Sequence, residues 1–430
     1  MHHFAYRRGV SQANVLHAEQ VDLCALAAEV GTPFYCYSTA TFERHLDVFA
    51  DAFAARPGTL VCYSIKANSN LGVLATLARR GAGMDVVSEG EIRRALAVGV
   101  PGERIAFSGV GKTKDEMAFA LDAGIFAFNV ESEPELRALS QVASAMGKTA
   151  RIAFRVNPDV DAGTHHKIST GKAENKFGIP FDDAPRLYER VRELPGVSAS
   201  GIHMHIGSQI TDLAPFRSAF RLMRELAIEL RARGHALEHL DLGGGLGVPY
   251  HGTTDEPPPP DAYAKVVREI LGDLDLEFVM EPGRMIVGNA GILVSRVIFV
   301  KEGLDRTFTI VDAAMNDLIR PTLYEAYHDI RPVVAEIATR PAVVQDIVGP
   351  VCETGDYLAL ERNLPPFEVD DLIAVMTAGA YGAVMSSTYN TRLLVPEVLV
   401  DGDRYAVVRP RPSYDTLIGQ DRLPPWLSSG

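Results

Sequence analysis

Between about residues 59 and 283 the chain alternates short apolar, β-branched runs with stretches whose apolar residues recur at helical spacing. The runs lie near 60–65, 83–87, 104–108, 125–130, 150–156, 200–206, 238–242 and 277–281, and they read as eight strands. Helical stretches at 70–80, 89–98, 114–123, 133–146, 182–193, 216–234 and 261–271 separate them. Most open on Ser, Thr, Asp or Asn and several close at Gly, the residues that cap helix ends. Eight successive βα units predict an α/β fold, a closed (β/α)8 barrel of the TIM type in preference to an open doubly wound sheet. After about 284 the texture changes. Alternating runs at 292–301, 306–311, 343–348, 372–377, 393–400 and 404–409 carry little helical spacing and predict a second, mostly antiparallel β domain, a sandwich or barrel. The expected division is a barrel over 36–283 and a β domain built from 1–35 with 284–430, the stretch before residue 35 pairing with the later strands.

Composition narrows the function classes. The chain of 430 residues is 47% apolar and 23% charged, ordinary globular values for two or three domains. Its 42 basic against 55 acidic residues give a net charge of −13, which argues against a nucleic-acid or anionic-membrane binder. No run reaches the roughly 20 apolar residues of a membrane span, and the start of the chain lacks the apolar core of a signal peptide, so a cytoplasmic protein is expected. Cys24, Cys36, Cys62 and Cys352 are scattered with no Cys-x-x-Cys, which predicts neither a disulfide framework nor a structural zinc site.

In a (β/α)8 barrel the side chains at the C-terminal strand ends converge on one mouth. Here those ends are polar: Lys66; Asp85 with Ser88 and Glu89; Asn129; Asn157; His203 and His205 with Ser208; Asp241 before Gly243-Gly244-Gly245; and Glu281-Pro282-Gly283-Arg284. A strand that delivers a lysine to its end presents either a solvated tip, the commoner case, or a desolvated amine able to add to a carbonyl. The glycine cluster after the seventh strand fits a phosphate cradle and a plain tight turn equally well on its own. It does not fit a dinucleotide fingerprint, because it follows the seventh strand instead of the first. Taken together, an amine, a phosphate cradle, a flat imidazole and a carboxylate for a pyridinium nitrogen are the parts that pyridoxal 5′-phosphate requires.

Six motifs carry a resemblance. Tyr63-Ser64-Ile65-Lys66-Ala67-Asn68, His205-Ile206-Gly207-Ser208-Gln209, Gly243-Gly244-Gly245, Glu281-Pro282-Gly283-Arg284, Gly349-Pro350-x-Cys352-Glu353 and the Tyr381-Gly382-Ala383 and Tyr389-Asn390 pair stand in one order along the chain. They resemble the alanine-racemase-like, fold type III pyridoxal-phosphate decarboxylases nearly end to end, and most closely the members that act on diaminopimelate. The resemblance implies a homodimer whose active sites are shared between copies. It implies that Lys66 carries the cofactor with Asp85 near its amine, that His205 stacks on the ring, and that Glu281 meets the ring nitrogen. Ser208, Gly245, Gly283 and Arg284 hold the phosphate, with Tyr381 nearby, and Cys352 enters from the other copy as the acid that reprotonates the carbanion. By residue chemistry alone Cys352 is equally a small buried hydrophobe.

The expected substrate is meso-2,6-diaminopimelate, converted to L-lysine and carbon dioxide. Its distal end bears a carboxylate as well as an ammonium. Arg284, Arg320, Tyr324 and Tyr381 can bind the first, since arginine forks match carboxylates, and Glu353 the second. Arg320 also reads as a surface ion pair, and Tyr324 and Tyr381 as interface aromatics. Three rivals stand beside this one: an ornithine-, arginine- or lysine-type decarboxylase, for which the family pattern favours aspartate in place of Glu353; a racemase, which sets an arginine where Glu281 stands; and a non-catalytic cofactor-binding homologue, which would lack Lys66 or Cys352. The long stretch 159–178 predicts a lid over the mouth, and its His165-His166 pair is a poor metal site.

Overall fold

A computed structural model describes residues 2–10, 12–56, 58–161, 176–251, 256–304 and 306–427. Most of the 159–178 stretch, with His165, His166 and Lys172, lies outside the described residues. The chain divides into two compact units, residues 39–290 and residues 2–38 with 291–430.

The first unit is a closed eight-stranded parallel barrel: β1 (Leu60–Ser64), β2 (Gly83–Val86), β3 (Ile105–Phe107), β4 (Ala127–Val130), β5 (Ala150–Asn157), β6 (Val197–His203), β7 (His239–Asp241) and β8 (Glu277–Met280), with β8 paired back onto β1. All eight strands fall within the predicted runs or overlap them. The helices start where capping chemistry satisfies their free amides. Asn70 accepts from Gly72, Ser88 from Glu91, Ser132 from Glu135, and Thr113 forms a reciprocal capping box with Glu116. Gly99 and Gly234, both at φ +83°, turn the chain out of the preceding helix in a conformation that side-chain-bearing residues rarely adopt.

Several elements went unpredicted, among them helix Leu23–Val30, the strands Ile330–Pro332 and Tyr357–Leu364, and two that matter most to the packing. Helix Thr39–Ala52 precedes the first βα unit and therefore fell outside the strand-then-helix rhythm. Its Phe49 packs with Phe53 and with Tyr263 of helix Pro260–Leu271, and Tyr263 in turn meets Phe216 of helix Ala214–Ala232 with ring centroids 4.9 Å apart and nearly perpendicular planes. Each such aromatic contact adds about 0.5–1.5 kcal/mol beyond the area it buries, so this outer layer closes the barrel wall where β8 returns to β1.

In the second unit Phe34–Ser38 is another unpredicted element. It is a wholly buried central strand, antiparallel to Gly291–Glu302 and parallel to Glu397–Asp401. The sheet continues through Thr307–Val311, Val343–Val348 and Tyr357–Leu364 on one side and Arg404–Arg409 on the other. A register shift between Val297 and Phe299 lets the long strand Gly291–Glu302 serve Leu372–Val375 with its first half and Thr307–Val311 with its second. Phe34, Cys36, Ile292, Val294, Ala374, Met376 and Val398 form its core, sealed by Leu16 and Phe4 of a small three-stranded sheet at the start of the chain.

Candidate active site

Lys66 lies in a single 3-10 turn (Ile65–Ala67) directly after β1. Its Nζ stands 2.9 Å from Asp85 Oδ2, and its side chain is 35% exposed where that of Asp85 is fully buried. The amine is thus neither a solvated tip nor a sealed group: it opens toward the barrel mouth from a charged anchor. Ser64 Oγ donates to the same Asp85 oxygen at 2.7 Å, while Asp85 Oδ1 is buried without a partner among the described residues. Burial and then the charge of Glu281 push the Asp85 carboxyl up, an effect that Lys66 and Ser64 partly offset.

Glu281 follows β8 and is 4% exposed. Ser108 Oγ at 3.4 Å and Asn129 Nδ2 at 3.3 Å donate to its Oε1, and His203 Nε2 faces Oε2 at 3.4 Å. Burial works to raise its pKa, but the charge and hydrogen bond of His203, with Lys66 and His205 behind them, outweigh burial and hold the carboxyl well below the usual range. The group is therefore anionic at neutral pH. Lys66, Asp85, His205 and Glu281 act on one another electrostatically, which places all four around one mouth.

The glycine run is a packing requirement. A Cβ on Gly243 would come within 2.3 Å of Met204 O, one on Gly244 within 2.2 Å of Glu281 O, and one on Gly245 within 2.5 Å of Gly207 O. All three obstacles are backbone, so Gly244→Ala is expected to destabilise the protein by about 1–3 kcal/mol. The urea midpoint should fall at unchanged slope; an unaltered midpoint would show that the loop has room after all.

That close approach also sets the chemistry. The Gly244 amide donates to His205 Nδ1 at 3.2 Å, which leaves the ring proton on Nε2. Burial, then the charges of Arg155 and Lys66, lower the His205 pKa well below normal, so the imidazole is neutral and suited to stacking. Beside it, Arg284 donates to Ser208 Oγ through Nε at 3.3 Å and Nη2 at 3.0 Å, and to Tyr250 OH through Nη1 at 2.6 Å. Gly283 lies against Ser64 and Ala67, where a Cβ would come to 3.0 Å and 3.3 Å of theirs. A buried guanidinium, a hydroxyl and a glycine turn make an anion site. Together with the amine, the neutral imidazole and the anionic Glu281, this donor set fits pyridoxal phosphate.

The remaining predicted residues lie in the second unit. Arg320 and Tyr324 share the one-turn helix Arg320–Tyr324. Arg320 is 5% exposed, so it is not a surface ion pair. Its Nη1 meets His328 Nε2 at 3.0 Å, and His328 Nδ1 meets Met376 O at 2.9 Å, so the imidazole donates to the carbonyl and accepts from the arginine. Cys352 is exposed, which sets aside the buried-hydrophobe reading; its amide donates to Asn390 Oδ1 at 2.9 Å. The neighbouring Glu353 accepts the Tyr389 hydroxyl and pushes that phenol's pKa up. Asp356 holds this loop by accepting Val351 N and Met315 N, both at 2.6 Å. Tyr381 is half-buried at φ +55°, an uncommon backbone for an aromatic residue.

The sequence reading missed several supporting residues. Ser108 ends the third predicted run and was the signal passed over; His203 and Asp241 were recognised as polar strand ends but given no role. Tyr250, Arg155 and His328 carried no local signal.

A family profile described as pyridoxal-dependent decarboxylase, pyridoxal binding domain, matches residues 39–288. The chain is 51% identical over 408 residues to the diaminopimelate decarboxylase of Vibrio cholerae, covering 94% of this chain and 95% of that protein. It is 48% identical over 414 residues to that of Zymomonas mobilis, covering 96% and 98% respectively. Its fold matches the crystal structure of diaminopimelate decarboxylase from M. jannaschii in co-complex with L-lysine with a TM-score of 0.92 at 35% identity, covering 99% of this chain and 98% of that one. Matched through its barrel and across nearly its whole length, the chain belongs to the pyridoxal-dependent decarboxylases, in the diaminopimelate decarboxylase family.

Proposed function

We propose that the protein decarboxylates meso-2,6-diaminopimelate to L-lysine and carbon dioxide, in the cytoplasm, as a homodimer with shared active sites. The observation that carries the reading is the grouping at one barrel mouth of a partly exposed lysine amine against Asp85, an anionic Glu281, a neutral His205 and the anion site around Gly245, Ser208 and Arg284.

When bound, pyridoxal phosphate supplies an electron sink conjugated to the substrate's α-carbon. The protein's part is to place groups around it. Lys66 is the residue of covalent attachment, and Asp85 fixes the direction of its amine. Glu281 holds a proton at the ring nitrogen, without which the sink is weak. His205 would face the ring, and Ser208, Gly245, Gly283 and Arg284 would hold the phosphate with Tyr381. Cys352, contributed by the other copy, gives the proton that replaces carbon dioxide at the α-carbon. At the substrate's far end Arg320, Tyr324, Arg284 and Tyr381 bind the carboxylate and Glu353 the ammonium. On this reading the barrel, taken as 36–283, binds cofactor, while 1–35 with 284–430 contributes to the dimer interface and supplies the distal contacts. The buried Arg320–His328–Met376 O relay supports that role, because it holds a guanidinium in one orientation before any ligand arrives.

The test is direct. The purified protein should show a yellow absorbance that borohydride traps on Lys66, and should release carbon dioxide from meso-diaminopimelate but not from ornithine, arginine or lysine. Turnover of ornithine without turnover of diaminopimelate would overturn the assignment of Glu353 and Arg320.

A further inference from the structure

Beneath Glu281 lies a second carboxyl group that the proposed chemistry does not use. Asp241, the last residue of β7, is 1% exposed, and ligand-type atoms of Asp241, Glu281 and His203 all lie within 4.8 Å of one another. The backbone holds the two carboxyls together: Glu281 N donates to Gly243 O at 2.8 Å and Leu242 N to Val279 O at 2.9 Å, so neither can withdraw without breaking the strand ends.

Donors are in short supply there. Asn129 Nδ2 has two hydrogens but faces three acceptors, Ser108 Oγ at 3.0 Å, Glu281 Oε1 at 3.3 Å and Asp241 Oδ2 at 3.4 Å. Gly243 N covers Asp241 Oδ1 at 2.9 Å. Two buried carboxylates at this separation repel each other strongly, and a single proton between them removes one charge and supplies the missing donor at once.

We propose that Asp241 is a positioning residue that stays a neutral carboxylic acid and shares its proton with Glu281, so that Glu281 alone presents a negative charge to the cofactor's ring nitrogen. Burial and the charge of Glu281 raise the Asp241 pKa well above the carboxylate range, in keeping with the geometry. The titratable groups that face the pair are Cys62 and Lys66 on the β1 side, Asp85 on β2, His203 on β6 with His205 after it, and Tyr263 from the outer helix layer. Burial pushes Cys62 and Tyr263 up, so both stay neutral. Lys66 is committed to Asp85 at 2.9 Å. The inference rests on the reading of Glu281 given above.

Infrared difference spectroscopy of the holoenzyme, wild type against Asp241→Asn, reads the proton directly. One band of a buried protonated carboxyl should be present in the wild type at neutral pH and absent from the variant. Asp241→Asn keeps a neutral donor of the same shape, so kcat should stay within about threefold, whereas Asp241→Ala should lower kcat about 10- to 100-fold at little-changed KM. A wild-type spectrum without the band, or an Asp241→Asn enzyme as impaired as Asp241→Ala, overturns the proposal. Failure of the Glu281 reading would look different: Glu281→Gln would keep its activity, whatever the infrared band does.

Discussion

Lys66→Ala is expected to lower the rate of carbon dioxide release by at least about 10³-fold, and to abolish borohydride trapping at that position, because the amine that forms the covalent attachment is gone. Among the described residues, the buried lysine near the strand ends is held elsewhere. Lys112 has its Nζ fixed by Glu135 Oε1 at 2.8 Å and by the carbonyls of Gly109 and Asn129, both at 2.7 Å. The same substitution carries a stability signature. Asp85 already has a raised pKa in the folded protein, and Lys66 is the charge that limits the rise. A carboxyl whose folded pKa lies above its unfolded value contributes stability below the unfolded pKa and loses that contribution as pH climbs through the folded one. With Lys66 removed the folded value rises further, so the stability of the variant should decline over a wider pH window above the carboxylate range. Denaturant midpoints measured from acidic to neutral pH would show the decline continuing to higher pH in the variant; a flat profile would mean that Asp85 is satisfied by Ser64 alone.

Glu281→Gln is the second large effect. The change keeps the side chain's shape and removes its charge, and kcat should fall about 10²- to 10³-fold while KM changes little, since the lost interaction matters where charge develops in the ring and not where substrate binds. Stability should move the other way or not at all. Glu281 is a buried charge, and removing the cost of keeping it from water offsets the loss of the His203 contact. Paired measurement of kcat and melting temperature separates the roles: a loss of both would make Glu281 a structural residue, and full activity would remove it from the chemistry.

How much of this was legible beforehand follows from the range of each interaction. Each βα repeat is announced within some thirty residues by an apolar run, a capping residue and a glycine, so the barrel could be read from periodicity, as at Ser88 before helix Glu89–Ala97 and Gly99 after it. Lys66, Asp85, His205 and Glu281 could be picked out because strand ends of such a barrel converge by construction. Phe34–Ser38 could not, since its partners are residues 291–294 and 397–400 and its five buried residues show no alternation. Helix Thr39–Ala52 was equally hidden, because its packing partner Tyr263 lies on helix Pro260–Leu271, which arrives about 200 residues later.

The amino-acid order by itself therefore determined the parallel barrel, the antiparallel second unit and the chemical identity of the groups at the strand ends, because those follow from local spacing and side-chain type. Only the tertiary structure decided the state of those groups. Closing β8 onto β1 brings Glu281 to His203, Asn129 and Asp241, and folding the second unit buries Arg320 against His328. Which carboxyl is charged, which imidazole is neutral and which guanidinium is held still depend on burial and on neighbours far away in the chain, quantities that no local pattern encodes.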